Sequence, residues 1–164
     1  MHQSRLILTS LVLVVWTSLT TGRLAAQNGT PPEDVNSTFV INVGDLPASC
    51  AFPVQVSMQG KGKMLTLPGN RVIFTSPGLE ATVRNLADPS KVVRLNITGS
   101  FHVTTKPDGS QVYVITGRNL VLDADAGVVV AIGNFGFAFD AGKNLIQPLT
   151  MQGGQLTNVC SLIE

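Results

Sequence analysis

His102 lies in the stretch LNITGSFHVTT, with Ser100 two residues before it and Tyr113 and Arg118 downstream. An imidazole near a hydroxyl could drive nucleophilic hydrolysis if a carboxylate oriented the ring. No serine of this chain sits in the glycine-flanked elbow that presents a hydrolase nucleophile. Strand parity places His102 with Thr104, Val112 and Val114, so a half-exposed sheet histidine is the plain reading. His102, Tyr113 and Arg118 are the polar candidates for a site. None is assigned a catalytic role.

Carboxylates offer two further chemistries. Asp123 and Asp125, in DADAG, stand two apart before a glycine. Calcium takes such oxygen-rich loops, but a helix-flanked calcium loop needs another acid and a closing glutamate, and VVVAIG follows instead. The pairs Asp123/Asp125 and Asp108/Asp140 could serve a glycosidase only across a cleft, and sugar sites also stack aromatic rings. This chain has one tyrosine and one tryptophan, Trp16. GKGK at 60–63 lacks the spacing and following helix of a phosphate loop and reads as a turn with two solvated lysines. With His102 the one histidine beyond His2, a zinc site of nitrogen and sulfur ligands has too few ligands. No cofactor or metal is expected.

The two cysteines are Cys50, in ASCAFP, and Cys160, in TNVCSLIE. They allow one intramolecular pairing. A Cys50–Cys160 disulfide is the leading expectation; two buried thiols or an intermolecular bridge are the alternatives. No C-x-x-C is present to make a redox motif.

The compartment follows from the first residues. One cation, Arg5, precedes the uncharged apolar run Leu6–Leu19, and small residues follow in TTGRLAAQ. This is the three-part pattern of a secretory signal peptide, read here as residues 1–26 with cleavage near Ala26. Arg23 ends the run too soon for a membrane-spanning helix, which needs about 20 apolar residues. The expected product is secreted and extracellular, with no membrane span. The whole chain has 11 Lys+Arg and 10 Asp+Glu. Losing Arg5 and Arg23 leaves 9 cations against 10 acids, a net of −1. That balance lacks the basic footprint of a nucleic-acid binder. Asn28, Asn36 and Asn96 open N-glycosylation sequons.

These residues must be positioned by strands. QNGTPPEDVNS at 27–37 is polar and proline-rich, and residues 27–45 read as a flexible leader. Residues 46–164 read as a single β domain. Short β-branched or alternating runs fill it: 53–59, 63–67, 71–75, 79–84, 92–97, 100–105, 111–116, 119–122, 128–132, 135–139 and 145–149. Gly, Pro, Asn and Asp punctuate them at regular spacing. The pattern predicts an all-β fold, an antiparallel meander of about 8–11 short strands forming a barrel or sandwich. TTKPDGSQV is the clearest hairpin: Pro107 and Asp108 suit a type I turn and Gly109 a bulge, pairing Lys106 with Ser110. Counting outward, Val103 faces Tyr113 and Phe101 faces Ile115. NITGSF and VITGRN echo each other with the spacing of two sides of one hairpin. Phe135, Phe137 and Phe139 alternate and mark a central core strand. Gly136 and Ala138 leave its other face open to a further layer or a cavity.

The stretches CAFPVQV, TSPG, LNITGSFHVTT, TGRNL, AGVVVAIGNFGFAFD and VCSL resemble a group of small uncharacterised bacterial secreted all-β proteins with one N-terminal and one C-terminal cysteine. The resemblance implies secretion and one compact β domain, and it carries no activity. The functional expectation is a secreted, non-catalytic binding or structural module; its residues do not name a partner, and an extracellular protein and a small apolar ligand are both open. The alternative is a carrier holding a small apolar ligand in a β-barrel cavity. A hydrolase using His102 is the third reading.

Overall fold

The computed structural model describes residues 31–164. The expected signal peptide, its expected cleavage near Ala26 and the Asn28 sequon lie outside these residues. Nine strands follow in order: β1 (Glu33–Ile41), β2 (Val54–Leu67), β3 (Arg71–Thr75), β4 (Glu80–Asn85), β5 (Val92–Asn96), β6 (Gly99–Thr105), β7 (Gln111–Asp123), β8 (Gly127–Phe139) and β9 (Leu145–Asn158), then a 3-10 turn at Cys160–Leu162. They form one antiparallel sheet in the order β5-β4-β2-β3-β6-β7-β8-β9, with β1 paired to β2.

The all-β meander is as expected, but the sheet does not close into a barrel. It is one sheet that bends over itself. Val54–Gln59 of β2 pair with β1 and β4, and Lys63–Leu67 of the same strand pair with β3. A row of paired glycines, Gly99–Gly117–Gly133–Gly154, runs across β6, β7, β8 and β9. Three of them take φ of +80°, +124° and +140°, a region that side chains with a Cβ avoid. The two hydrophobic clusters occupy opposite faces of β7 and β8. On one face, Val128 and Val130 of β8 share a core with Val54 and Val56 of β2, Ala81 and Val83 of β4, and Ile163. On the other face, Ile115, Ala131, Phe135, Phe137 and Phe139 form a second cluster with Phe101, Tyr113, Val121 and Leu149.

Glycine does not break the strands here. The expected runs 53–59 and 63–67 are one strand, as are 111–116 with 119–122 and 128–132 with 135–139. GKGK is therefore not a turn but the middle of β2, where Lys61 pairs with Asp34 at 2.6 Å. Part of the expected leader 27–45 is strand. Residues 33–41 form β1, because Val35, Ser37, Phe39 and Ile41 alternate toward the core while Asp34, Asn36, Thr38 and Val40 face out.

The 106–110 hairpin has the expected register. Lys106 N donates to the Ser110 carbonyl at 2.8 Å and Gly109 N to the Lys106 carbonyl at 2.9 Å. Val103 pairs with Tyr113 and Phe101 with Ile115. The three phenylalanines of β8 share a face, and that strand is buried between β7 and β9. Cys50 and Cys160 form a disulfide with Cα atoms 5.4 Å apart. It ties the segment before β2 to the chain end beside the first core.

Candidate functional site

The polar candidates do not converge. His102 on β6 pairs with Ile73 and Val114, is half-buried, and has no hydrogen-bond partner among the described residues. Tyr113 is one residue out of phase with Val114 and points from the opposite face. Its ring stacks on Phe137 at 4.7 Å and meets Phe139 edge-on at 5.7 Å. Its hydroxyl donates to Gln111 Oε1 at 3.0 Å, and burial pushes the phenol above its ordinary range. Lys143 Nζ donates to the same oxygen at 2.7 Å. Arg118 lies on the His102 face but four residues beyond Val114, roughly 13 Å along the strand. A hydrolytic triad needs groups within hydrogen-bond reach, and these three lack that geometry.

The carboxylates are occupied with closing turns. Asp123 Oδ1 accepts from Asp125 N at 3.0 Å and Ala126 N at 2.8 Å, which shapes the β7–β8 turn. Asp108 accepts from Ser110 Oγ at 2.7 Å and Ser110 N at 2.9 Å. Asp140 accepts from Asn144 N at 2.8 Å and Asn144 Nδ2 at 2.9 Å. These hydrogen bonds hold Asp108 and Asp140 below the usual carboxylate range. The two turns lie side by side, since a Cβ on Gly109 would come 3.1 Å from that of Ala141.

The space expected beside Gly136 and Ala138 is filled. The Gln152 side chain comes within 3.0 Å of where a Gly136 Cβ would stand, and that of Gln147 within 3.8 Å. With an open sheet and this face covered, the barrel interior that the carrier reading requires does not form. A shallow depression of about 230 Å³ lies elsewhere, along the β1–β2 pairing at Asp34–Asn36 and Gln59–Lys61. It opens to solvent and has an ion pair at its rim.

The coherent surface feature is one the sequence did not announce. β9 ends the strand order and presents its outer edge to solvent. It is 14 residues long, LIQPLTMQGGQLTN, without a charged side chain. Ile146, Met151 and Leu156 are 60%, 56% and 41% exposed. Register shifts at Asn134/Phe135, Gly136/Ala138 and Ala138/Phe139 insert extra residues in β9. These bulges rephase the strand, so Leu145, Met151 and Leu156 pair opposite Phe139, Phe135 and Ala131. Across the sheet, Met64, Phe74, Phe101, Ile115, Phe135 and Met151 are successive cross-strand partners. This apolar row spans six strands, buried at its centre and exposed at both ends.

Compared with protein families, curated proteins and solved structures, the chain matches none. What stands is a small all-β domain with one disulfide, Cys50–Cys160.

Proposed function

We propose that this chain is an exported, non-catalytic β domain that acts by surface contact with another macromolecule outside the cytoplasm. The observation that carries the reading is the uncharged, exposed edge strand β9 at the end of a six-strand apolar row. Long apolar edges are normally blunted by charge, proline or bulges, or covered, because their free N–H and C=O groups template further pairing. β9 has Pro148 and three bulges but no charge and no cover among the described residues. Exposed apolar surface on a soluble domain marks contact sites. Export is supported by the signal-like first 26 residues and by the disulfide, which persists in oxidising compartments. Among the described residues no helix is long and apolar enough to cross a membrane. The scattering of His102, Tyr113 and Arg118 over two faces favours contact over catalysis.

The test is site-specific photo-crosslinking in the native host, with the probe at Met151 or at Thr66 on the exposed side of β2. Adducts of defined mass from Met151 and none from Thr66 support the reading. Absence of adducts, together with a hydrolytic activity that His102→Ala abolishes, overturns it in favour of an enzyme.

A further inference from the structure

We infer that the partner of β9 is β9 of a second copy of this chain, paired antiparallel about a two-fold axis at Met151. The inference rests on the contact reading above and names its partner. Three observations on the strand support it.

The first is spacing. The three most exposed apolar side chains of β9 are Ile146, Met151 and Leu156, each five residues from the next. A two-fold axis at Met151 sets Met151 against its own copy and Ile146 against Leu156 of the other copy. Pro148, which lacks an N–H, then falls opposite Gly154, and Leu149 opposite Gly153. An isologous interface demands this kind of self-complementarity.

The second is charge. No charged residue lies between Lys143 and Glu164, so self-pairing opposes no like charges. The other strands with a free edge differ. β5 carries Arg94 at its centre, which antiparallel self-pairing about that residue would set against its own copy. β1 carries Glu33 and Asp34, the latter bound to Lys61. Like charges directly opposite are destabilising in a sheet, and charge is a common protection of edges.

The third is size. Fourteen residues at about 3.4 Å each, in a sheet roughly 10 Å thick, bury on the order of 1,000 Å² over both partners. That reaches the lower bound of a specific interface and predicts a reversible dimer at the weak end of the range. The pairing also joins the apolar row ending at Met151 to its counterpart, giving one continuous sheet.

The experiment is sedimentation equilibrium on the purified, oxidised full chain, with single and paired substitutions at exposed positions where the monomer fold is unaffected, checked by circular dichroism. The expected result is a reversible dimer that Met151→Lys weakens at least about tenfold. Ile146→Lys with Leu156→Lys abolishes it, and Ile146→Lys with Leu156→Glu retains it, since the two positions face each other only in this register. In the Met151→Cys variant a disulfide joins the two copies at that position, confirmed by peptide mapping, while Met64→Cys, at a similarly exposed site, gives none. A monomer up to about 500 μM overturns the inference, as does a dimer indifferent to these variants. If the monomer persists while Met151 still photo-crosslinks to a different chain, self-pairing fails and the contact reading stands.

Discussion

Asn85 Nδ2 donates to the Ile163 carbonyl at 3.1 Å, across 78 residues of sequence. The same side chain accepts from Ala87 N at 2.8 Å and Asp88 N at 3.1 Å. Asn85 and Ile163 are both buried, so water does not replace the bond between them. One amide thus shapes the turn after β4 and anchors the chain end, which Lys91 also holds through the Glu164 carbonyl at 2.6 Å. Asn85→Ala leaves a buried carbonyl and two turn N–H groups without their partner. The expected loss is about 2–4 kcal/mol in urea unfolding. A change under about 0.5 kcal/mol would show that the anchor contributes little.

The disulfide fixes the same chain end from the other side. It closes a loop of 110 residues, and loop-closure entropy puts its contribution at about 4–5 kcal/mol as an upper estimate. Cys50→Ala with Cys160→Ala is expected to lower stability by about 2–5 kcal/mol relative to the oxidised protein. Wild type held in reductant should behave as the double variant does. Equal stability with and without reductant would mean that the first core holds the end without the bridge.

Much of this was legible wherever the determinants are local. The Lys106–Ser110 turn, its register and the opposite facing of His102 and Tyr113 follow from proline, aspartate, glycine and strand parity. The echo of Thr98-Gly99 and Thr116-Gly117 is one cross-strand glycine pair, Gly99 with Gly117. What was not legible depends on partners distant in sequence. Gly60, Gly117 and Gly133 read as breaks, yet the ladder continues through each because a neighbouring strand supplies its hydrogen bonds. β1 was obscured by PPED, although Val35, Phe39 and Ile41 carry the alternation. β9 has no clean period two, because its bulges change phase three times along the strand. Without that phase, Leu145, Met151 and Leu156 cannot be assigned to one face.

Tyr113 is the only tyrosine, so its titration can be followed by absorbance without interference. Burial raises its pKa above 10.0 in the folded chain. A raised folded value means the neutral phenol is favoured by folding. Its contribution is complete below the unfolded pKa near 10 and is lost as pH rises through the folded value. The expected observation is phenolate appearing at higher pH in native protein than in urea-unfolded protein, with stability falling over the same window. Asp108 and Asp140 are held low by hydrogen bonds, so their contribution has the opposite sign. It is present above the ordinary carboxylate pKa and lost as pH falls below it. Coincident native and unfolded phenol curves would place Tyr113 in water and contradict its stacking on Phe137.

Gly127 and Gly69 share a backbone conformation but differ in surroundings, and the comparison separates strain from crowding. Their φ angles are +78° and +79°, so alanine costs each about 1 kcal/mol or somewhat more from the left-handed conformation alone. At Gly69 an added Cβ meets nothing within 4 Å. At Gly127 it would collide with the Ala48 carbonyl oxygen, in the segment that leads to Cys50. That oxygen belongs to backbone held close by the disulfide and cannot swing away as a side chain could. Gly127→Ala must therefore push the 48–50 segment off the start of β8, loosening the first core around Val128. The expected destabilisation is about 1–2 kcal/mol for Gly69→Ala and at least about 2 kcal/mol more for Gly127→Ala in parallel urea titrations. The excess should shrink in the Cys50→Ala, Cys160→Ala background, where the segment is free to move. An excess of the same size with and without the disulfide would assign it to β8 itself.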